Sequence, residues 1–175
     1  MHPPAEAREK VAMAHEPVSL FDAISSQRAI RHFSAQPVSN EAVETMLHAA
    51  IRAPSGGNRQ PWRFLVIRDA ALKRQLGQWC LAAWQTAVAG METITQPYRH
   101  GAELAQQMAT VPVLILVCID HGDAGAGPGP ITRGASIYPA IQNLLLAARA
   151  LGLGTVLTTL HTQVRTRDQG AAAHP

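Results

Sequence analysis

The chain lacks the features that mark several large classes of protein. Its longest apolar run, residues 111–119, contains Pro112 and falls far short of the roughly 20 residues that a membrane-spanning helix needs. Only 5% of the 175 residues are aromatic, and the Lys and Arg residues are scattered, so nucleic-acid binding is not favoured. Residues 1–17 contain no apolar core of a signal peptide, so we expect a cytoplasmic protein. A content of 47% hydrophobic residues excludes a disordered chain.

The common motifs of metal sites and hydrolases are also missing. Cys80 and Cys118 form no CxxC or zinc-like pair and the eight histidines have no HExxH spacing, so we expect free thiols and no metal. No GxSxG sequence marks a nucleophilic serine. The glycine-rich stretch 120–131 includes Pro128 and Pro130, which remove backbone donors that a phosphate loop needs, so it predicts a flexible surface loop.

The length of the chain, 175 residues, favours one domain in which helices pack on a sheet in an α+β or α/β arrangement. Residues 1–17 show no periodicity and predict a mobile leader, whereas residues 165–175 show no packing pattern and predict an unstructured or truncated tail. The domain is therefore expected over residues 18–164. With only 15% charged residues, part of its apolar surface is expected to be covered by a partner subunit.

Apolar periodicity and turn residues predict helices that alternate with strands. In chain order the predicted elements are helix 19–27, helix 39–53, strand 63–68, helix 70–90, a helix in the second half of 91–110, strand 111–119, helix 136–150 and strand 154–160. One face of helix 70–90 is predicted to be buried, namely Leu72, Leu76, Trp79, Cys80 and Ala83. Ser39 is the predicted N-cap of its helix, with Val38 packing onto Val43. Pro139 is expected near the first turn of its helix, and Gly152 is expected to end it.

Two arginines stand just after the first predicted helix. Arg28 and Arg31 lie three residues apart in an extended or turn segment, with the small residue Ala29 between them. Two neighbouring guanidinium groups can clamp a phosphate through charge-assisted, bidentate hydrogen bonds. The alternative is a solvated basic surface, which is the interpretation that the arginine pair favours when taken alone.

The loop after the second predicted helix, PSGGNRQPW at 54–62, is another candidate binding segment. Its two prolines and two glycines exclude regular structure. The glycines let the backbone approach a flat ligand, and Ser55, Asn58 and Gln60 supply short polar side chains. The alternative is an ordinary helix-to-strand connection, but two prolines and two glycines within nine residues favour a more constrained loop.

Four segments taken together resemble the FMN-dependent nitroreductase family. They are QRAIRHF at 27–33, APSGGNRQPWRFLVIRD at 53–69, YPAIQNLLLAARALGLGT at 138–155 and VLTTL at 156–160, in the family's order and at its spacing. The resemblance spans about residues 19–164. It implies an α+β fold, a three-layer α-β-α sandwich around a central mixed sheet, assembled as an intertwined homodimer with FMN bound at the interface.

The resemblance also implies a cofactor site without a catalytic side chain, because the flavin carries the hydride chemistry. Arg28, with Ala29 beside it, would hold the FMN phosphate, and Arg31 would approach the ribityl chain and the N1 edge of the ring. The other implied contacts come from the proline-glycine loop of the partner subunit and from the segment after the last helix, namely Pro54, Ser55, Gly56, Asn58, Gln60, Leu157, Thr158 and Thr159.

The implied activity is that of an FMN-dependent NAD(P)H oxidoreductase. NAD(P)H would reduce FMN and leave, and a nitroaromatic, quinone or similar electron-poor small molecule would then take the electrons in a ping-pong cycle. The alternative is a degenerate member with weak FMN binding. The resemblance implies a basic residue at Gln27 and a serine at Ala29 in many relatives, and the chain ends without the family's usual C-terminal arm. A dehalogenating or flavin-fragmenting enzyme is a third interpretation, which would need lid residues that are not recognisable between Met91 and Gln107.

Overall fold

The computed structural model describes residues 18–120 and 130–160 of the chain. Its helices and strands, numbered in chain order, are α1 (Leu20–Ser26), α2 (Asn40–Ala50), β1 (Trp62–Ile67), α3 (Ala70–Val88), α4 (Gln96–Gln107), β2 (Leu114–Ile119) and α5 (Pro130–Ala150). A short 3-10 turn, Gly56–Asn58, precedes β1. No helix within these two described ranges is long and apolar enough to cross a membrane.

The described residues separate into two compact units. The first contains α1, α2, α5 and most of β1 and β2. The second contains α3, α4 and the segments 30–36 and 156–160. The predicted leader 1–17, most of the predicted loop 120–131 and the predicted tail 165–175 lie outside the described residues.

Serine side chains begin the first two helices, as the sequence predicts. The Oγ of Ser19 accepts a hydrogen bond from the amide three residues further on at 3.1 Å, and the Oγ of Ser39 does the same at 3.1 Å. Each bond satisfies an amide that has no partner inside its helix, which is worth about 1 kcal/mol. Val38 packs against the apolar cluster that contains Val43, as expected for a residue that staples the start of α2.

The core of the first unit forms where α5 packs against α2. Ala50 on α2 and Ala140 and Ala148 on α5 are completely buried. Because these side chains are small, the two helix backbones can approach closely, and the larger buried residues Met46 and Leu144 fill the space around them. The long helix α5 is therefore the element on which the rest of this unit is assembled.

Two polar side chains of α5 fix the ends of neighbouring helices. Asn143 donates from Nδ2 to the carbonyl of Ala49 at the end of α2, at 3.2 Å. Arg149 donates from Nε to the Oγ of Ser26 at the end of α1, at 2.9 Å. The carbonyl of Ala49 also accepts from the amide of Arg52 at 3.2 Å, so the Asn143 bond is a second bond to the same oxygen. Both neighbours are thus held at defined positions along α5.

Helix α5 begins earlier than the sequence predicts. Its predicted start was near Ser136, but the helix runs from Pro130, so the end of the predicted glycine-proline loop belongs to it. The expectation that Pro139 lies near the first turn is wrong, because this residue is well inside the helix. A proline there removes one backbone hydrogen bond, and the burial of Ile137 and Ile141 on either side of it supplies the packing that holds the helix together.

Helix α5, whose last residue is Ala150, is closed by Gly152, as predicted. Gly152 has a φ of +75°, and its amide donates to the carbonyl of Arg149 at 3.0 Å. The amide of Leu153 donates to the carbonyl of Ala148 at 2.9 Å. This pair of bonds is the Schellman closure, which favours glycine because only glycine adopts a left-handed conformation without cost.

The predicted strand over 154–160 is wrong. Within the described part of the chain only Thr155 pairs with another segment, through an isolated parallel bridge to Ala29. A strand exists only where a neighbour supplies a continuous series of hydrogen bonds, and no neighbouring strand continues beyond this bridge in the residues described. β-Branched residues alone therefore do not produce a strand here.

Strands β1 and β2 form a two-stranded sheet in the first unit. The amide of Asp120 donates to the carbonyl of Pro61 at 2.7 Å, which places the end of β2 beside the start of β1 and makes the strands antiparallel. β1 begins at Trp62, one residue earlier than predicted. β2 begins at Leu114 rather than at position 111, because Pro112 has no amide to contribute to a ladder.

The second unit is built on the contact between α3 and α4. Its apolar cluster contains Cys80, which is buried as predicted, and neither Cys80 nor Cys118 of the first unit is in a disulfide. The predicted buried face of α3 is wrong at Leu72 and Trp79, which are 52% and 47% exposed. The residues that are buried are Lys73, Gly77, Cys80 and Ala83, because α4 packs along this neighbouring stripe. Lys73 is accommodated since its Nζ donates to the carbonyl of Val111 at 2.6 Å.

Gly77→Ala is expected to lower the free energy of unfolding by about 1–3 kcal/mol, the usual cost of overpacking. The new Cβ would lie 2.5 Å from the carbonyl oxygen of Ala105 and 3.1 Å from the Cβ of Met108. This clash outweighs the gain of about 1 kcal/mol in helix propensity. Urea denaturation followed by circular dichroism measures the change. Gln78→Ala, at the next and exposed position, is the control, and an equal loss in both variants contradicts the packing role.

Candidate functional site

Arg28 lies where the chain leaves α1. The helix ends at Ser26, and Gln27 has the extended backbone predicted for this segment, with φ −63° and ψ 130°. Arg28 is exposed, and its Nη1 donates to the carbonyl of Gln27 at 2.7 Å. The next residue, Ala29, forms the parallel bridge to Thr155. The first unit therefore aligns the Arg28 segment with the beginning of the segment that follows α5.

The second unit holds Arg31 and the residues 157–159 on two segments that pack against one apolar cluster. Phe33 anchors the first segment to this cluster, and Val156 and Leu160 anchor the second. The side chain of Arg31 is half-buried, whereas positions 157 and 159 are exposed. The hydroxyl at position 158 accepts a hydrogen bond from the amide of Leu160 at 3.4 Å. Both predicted segments are thus fixed to the same core.

The proline-glycine loop, residues 54–61, is closed by its own polar groups. The Oγ of Ser55 accepts from the amide of Gln60 at 3.0 Å, and Nε2 of Gln60 donates to Oδ1 of Asn58 at 2.9 Å. Nε of Arg59 donates to the carbonyl of Gly56 at 3.1 Å. The loop is therefore a bonded structure that includes one 3-10 turn, and the prediction that it contains no regular structure is wrong at that turn.

The backbone of this loop is strained. Gly57, Asn58 and Gln60 have φ values of +60°, +53° and +50°. Glycine adopts such values freely and asparagine tolerates them, but a residue such as glutamine pays about 1–2 kcal/mol. Strain of this kind persists only where surrounding bonds enforce it, and it concentrates at binding and catalytic sites. The geometry agrees with the predicted constrained loop.

One long-range hydrogen bond attaches the loop to α5. The amide of Gly56 donates to the Oγ of Ser136 at 3.1 Å, across 80 positions of sequence. Ser136 lies toward the start of α5, whereas Arg149, which binds the end of α1, lies near its other end. At a rise of 1.5 Å per residue these two anchors are about 20 Å apart. Within one chain the loop and the Arg28 segment are therefore attached to opposite ends of α5.

Sequence reasoning missed two residues of this arrangement, Ser136 and Arg59. Nothing local in the sequence links Ser136 to a glycine 80 positions away. Arg59 stands inside the predicted loop, and its charge is the signal that could have singled it out. The roles predicted for Pro54, which is exposed, and for the other loop residues stay predictions.

The chain matches the model of the nitroreductase family over residues 24–169. It belongs to the nitroreductase family. Among its curated relatives, the 5,6-dimethylbenzimidazole synthase of Rhodospirillum rubrum is 34% identical over 133 residues, which cover 73% of this chain and 63% of that protein. The chain spans 62% or 63% of the length of each of the first three curated relatives it matches.

Two solved structures are similar to this chain over most of its length. A nitroreductase with bound FMN from Desulfitobacterium hafniense has a TM-score of 0.64 and 27% identity, covering 83% of this chain and 72% of that one. Oxidised iodotyrosine deiodinase bound to FMN and 3-iodo-L-tyrosine has a TM-score of 0.65 and 27% identity, covering 86% and 83%. These similarities confirm the predicted α+β nitroreductase fold, while the intertwined homodimer stays a prediction.

Ser55→Ala is expected to lower the free energy of unfolding by about 1 kcal/mol, the usual value of one hydrogen bond. The variant removes the acceptor of the Gln60 amide, which holds that residue in its left-handed conformation. Urea denaturation measures the loss, and amide hydrogen exchange shows whether protection falls within the loop. Ser34→Ala, at an exposed serine in segment 30–36, is the matched control. Unchanged exchange at Gln60 in Ser55→Ala contradicts the bonded loop.

Proposed function

We propose that this protein is an FMN-dependent NAD(P)H oxidoreductase that reduces nitroaromatic, quinone or similar electron-poor small molecules in the cytoplasm. The observation that carries the proposal is the bridge between Ala29 and Thr155. It aligns the Arg28 segment with the beginning of the segment after α5, and the family resemblance implies phosphate and ring contacts for these two segments. The FMN named in two similar solved structures supports the same cofactor.

The residues present fit FMN. A guanidinium offers five N–H donors in a planar fork suited to phosphate, and the bond from Arg28 to Gln27 leaves the others for a ligand. On the loop, a Cβ added to Gly56 would make only ordinary van der Waals contacts, at 3.7 Å or more, and the absence of a side chain there lets a flat ring approach the backbone. The amides of Asn58 and Gln60 supply donors and acceptors of the kind that a flavin ring edge uses.

Bound FMN would accept a hydride from NAD(P)H and deliver electrons to the second substrate, so the protein needs no acid or base of its own. Arg28 would bind the phosphate, with Ala29 contributing backbone only. The positive charge of Arg31 would stabilise negative charge at the pyrimidine edge of the ring. The residues that we propose to cover and border the ring are Pro54, Ser55, Gly56, Asn58, Gln60, Leu157, Thr158 and Thr159.

A homodimer would complete this site. The loop and the Arg28 segment of one chain are attached about 20 Å apart along α5, so we infer that each FMN takes its arginines from one protomer and its loop from the partner. Helix α1 leaves Leu20, Phe21 and Ile24 between 52% and 80% exposed. An apolar surface of this kind is typical of one covered by another subunit.

A flavin reaction on another substrate is the second candidate function. The similarity to a 5,6-dimethylbenzimidazole synthase and to an iodotyrosine deiodinase favours it. A member that binds FMN weakly and turns over poorly is the further alternative. It rests on Gln27 and Ala29, which stand at positions where many relatives carry polar phosphate contacts.

Titration with FMN separates these functions. Quenching of FMN fluorescence, followed by NAD(P)H oxidation with menadione or a nitrofuran, supports the proposed oxidoreductase. Tight FMN binding without oxidation of NAD(P)H in the presence of either acceptor supports a flavin reaction on another substrate. Weak FMN binding with poor turnover supports the degenerate member, and the absence of any quenching contradicts every flavin function.

Arg28→Ala is expected to weaken FMN binding by about 1–3 kcal/mol, the range for a hydrogen bond to a charged group. Fluorescence titration of the apoprotein measures the dissociation constant. Arg52→Ala is the control, because this exposed arginine at the end of α2 removes the same charge outside the proposed site. An unchanged dissociation constant in Arg28→Ala rules out the phosphate role.

A mixed dimer tests the shared site directly. Arg28→Ala damages the arginine half, and Gly56→Leu places a side chain on the loop half, at a position where a Cβ meets no atom closer than 3.7 Å. Each variant alone is expected to bind FMN weakly. When the two are co-expressed, random pairing leaves about a quarter of the sites with both halves intact. Recovery of that fraction, measured as bound FMN per protomer, supports the shared site, and no recovery refutes it.

A further inference from the structure

Two polar side chains flank Gly56 on the surface of the proline-glycine loop. Nη2 of Arg59 lies 3.7 Å, and Oγ of Ser136 lies 3.8 Å, from the position that a Cβ on Gly56 would occupy. No side chain of Gly56 fills this position. A guanidinium and a hydroxyl therefore lie within van der Waals distance of the same point on the loop, and no side chain of residue 56 separates them.

The guanidinium of Arg59 is held in place and carries an unneutralised charge. Its Nε donates to the carbonyl of Gly56 at 3.1 Å, which orients the planar group and leaves its other N–H donors for another partner. Among the described residues, Arg63 pairs with Asp120 and His32 lies 3.8 Å from Glu103, and neither carboxylate contacts Arg59. An oriented guanidinium without a carboxylate favours binding of an anion.

Ser136 has a hydrogen left to donate. Its Oγ accepts from the amide of Gly56 at 3.1 Å, so the hydroxyl proton remains available for a second bond. Because Ser136 is part of α5 and the loop is closed by its own hydrogen bonds, the two donors keep their separation. Preorganised donors of this kind bind an oxygen anion with little ordering cost.

We propose that Arg59 and Ser136 form a subsite for an anionic oxygen, of a carboxylate or a phosphate, on the molecule that reacts at this loop. The proposal rests on the proposed function, since that function places the flavin ring against the loop. A carboxylate would belong to the electron acceptor, and a phosphate would belong to the dinucleotide donor.

A matched pair of electron acceptors tests whether the bound anion is a carboxylate of the acceptor. 4-Nitrobenzoate and 4-nitrobenzamide share a nitroaromatic ring and differ in charge, so the ratio of their kcat/KM values with the holoenzyme isolates recognition of the anion. Arg59→Ala is expected to lower this ratio about tenfold, the effect of losing one charge-assisted hydrogen bond. Arg59→Lys should recover part of it, because lysine keeps the charge without the planar fork. Arg52→Ala, which removes an arginine outside the loop, should leave the ratio unchanged.

Comparison of the two nucleotide electron donors, NADPH and NADH, tests whether the bound anion is a phosphate of the nucleotide. A tenfold fall in the NADPH to NADH ratio of kcat/KM in Arg59→Ala, with the acceptor ratio unchanged, assigns the subsite to the donor. Ser136→Ala should lower the same ratio as Arg59→Ala, and Ser136→Thr, which keeps the hydroxyl, should restore it. If Arg59→Ala changes neither ratio, or slows all four substrates equally, the subsite is refuted.

Calorimetry separates failure of the subsite from failure of the flavin function. The probe is 4-nitrobenzoate, titrated into the wild-type protein without FMN and into Arg59→Ala. If FMN does not bind, the proposed function fails, yet weaker binding of 4-nitrobenzoate to Arg59→Ala still supports the subsite. Equal binding to both proteins, together with unchanged substrate ratios, overturns it.

Discussion

The packing of α5 against α2 is the interaction on which the first unit depends. Ala50, Ala140 and Ala148 bring the two backbones close, and this burial fixes the rotation of α5 about its own axis. Once that rotation is set, the polar side chains of α5 are directed at particular neighbours. Ser136 then meets the loop, and Arg149 meets the end of α1. An apolar contact thereby determines the positions of both candidate binding segments.

The rigidity of α5 also separates these segments. A helix has a fixed rise per residue, so the anchors of the loop and of the Arg28 segment remain about 20 Å apart whichever side chains lie between them. In the proposed function this separation favours a second protomer, which would bring the loop to the FMN held by the arginines of the first. The strain at Gln60 fits the same arrangement, because a loop that meets a ligand from another subunit gains from being fixed before binding.

Local features of the fold were predictable from the sequence, and features that depend on partners were not. The caps at Ser39 and Gly152 follow from the chemistry of a few adjacent residues, and both were correct. The prediction of a strand over 154–160 was wrong because a strand needs a hydrogen-bonded neighbour. The prediction that Trp79 is buried was wrong because α4 packs on the adjacent stripe of α3. In the site, the arginine segment and the loop were recognisable as motifs, but their separation along α5 was not.

The sequence by itself determined the family and the helix boundaries set by capping residues, and it singled out the two segments proposed to bind a phosphorylated ring. These features depend on residue type and on spacing over a few positions, and both are visible in the sequence. Only the tertiary structure decided that Gly56 meets Ser136 and that Ala29 pairs with Thr155. Contacts across 80 or more positions leave no local pattern, because they are selected by the packing of whole helices and not by the residues that form them.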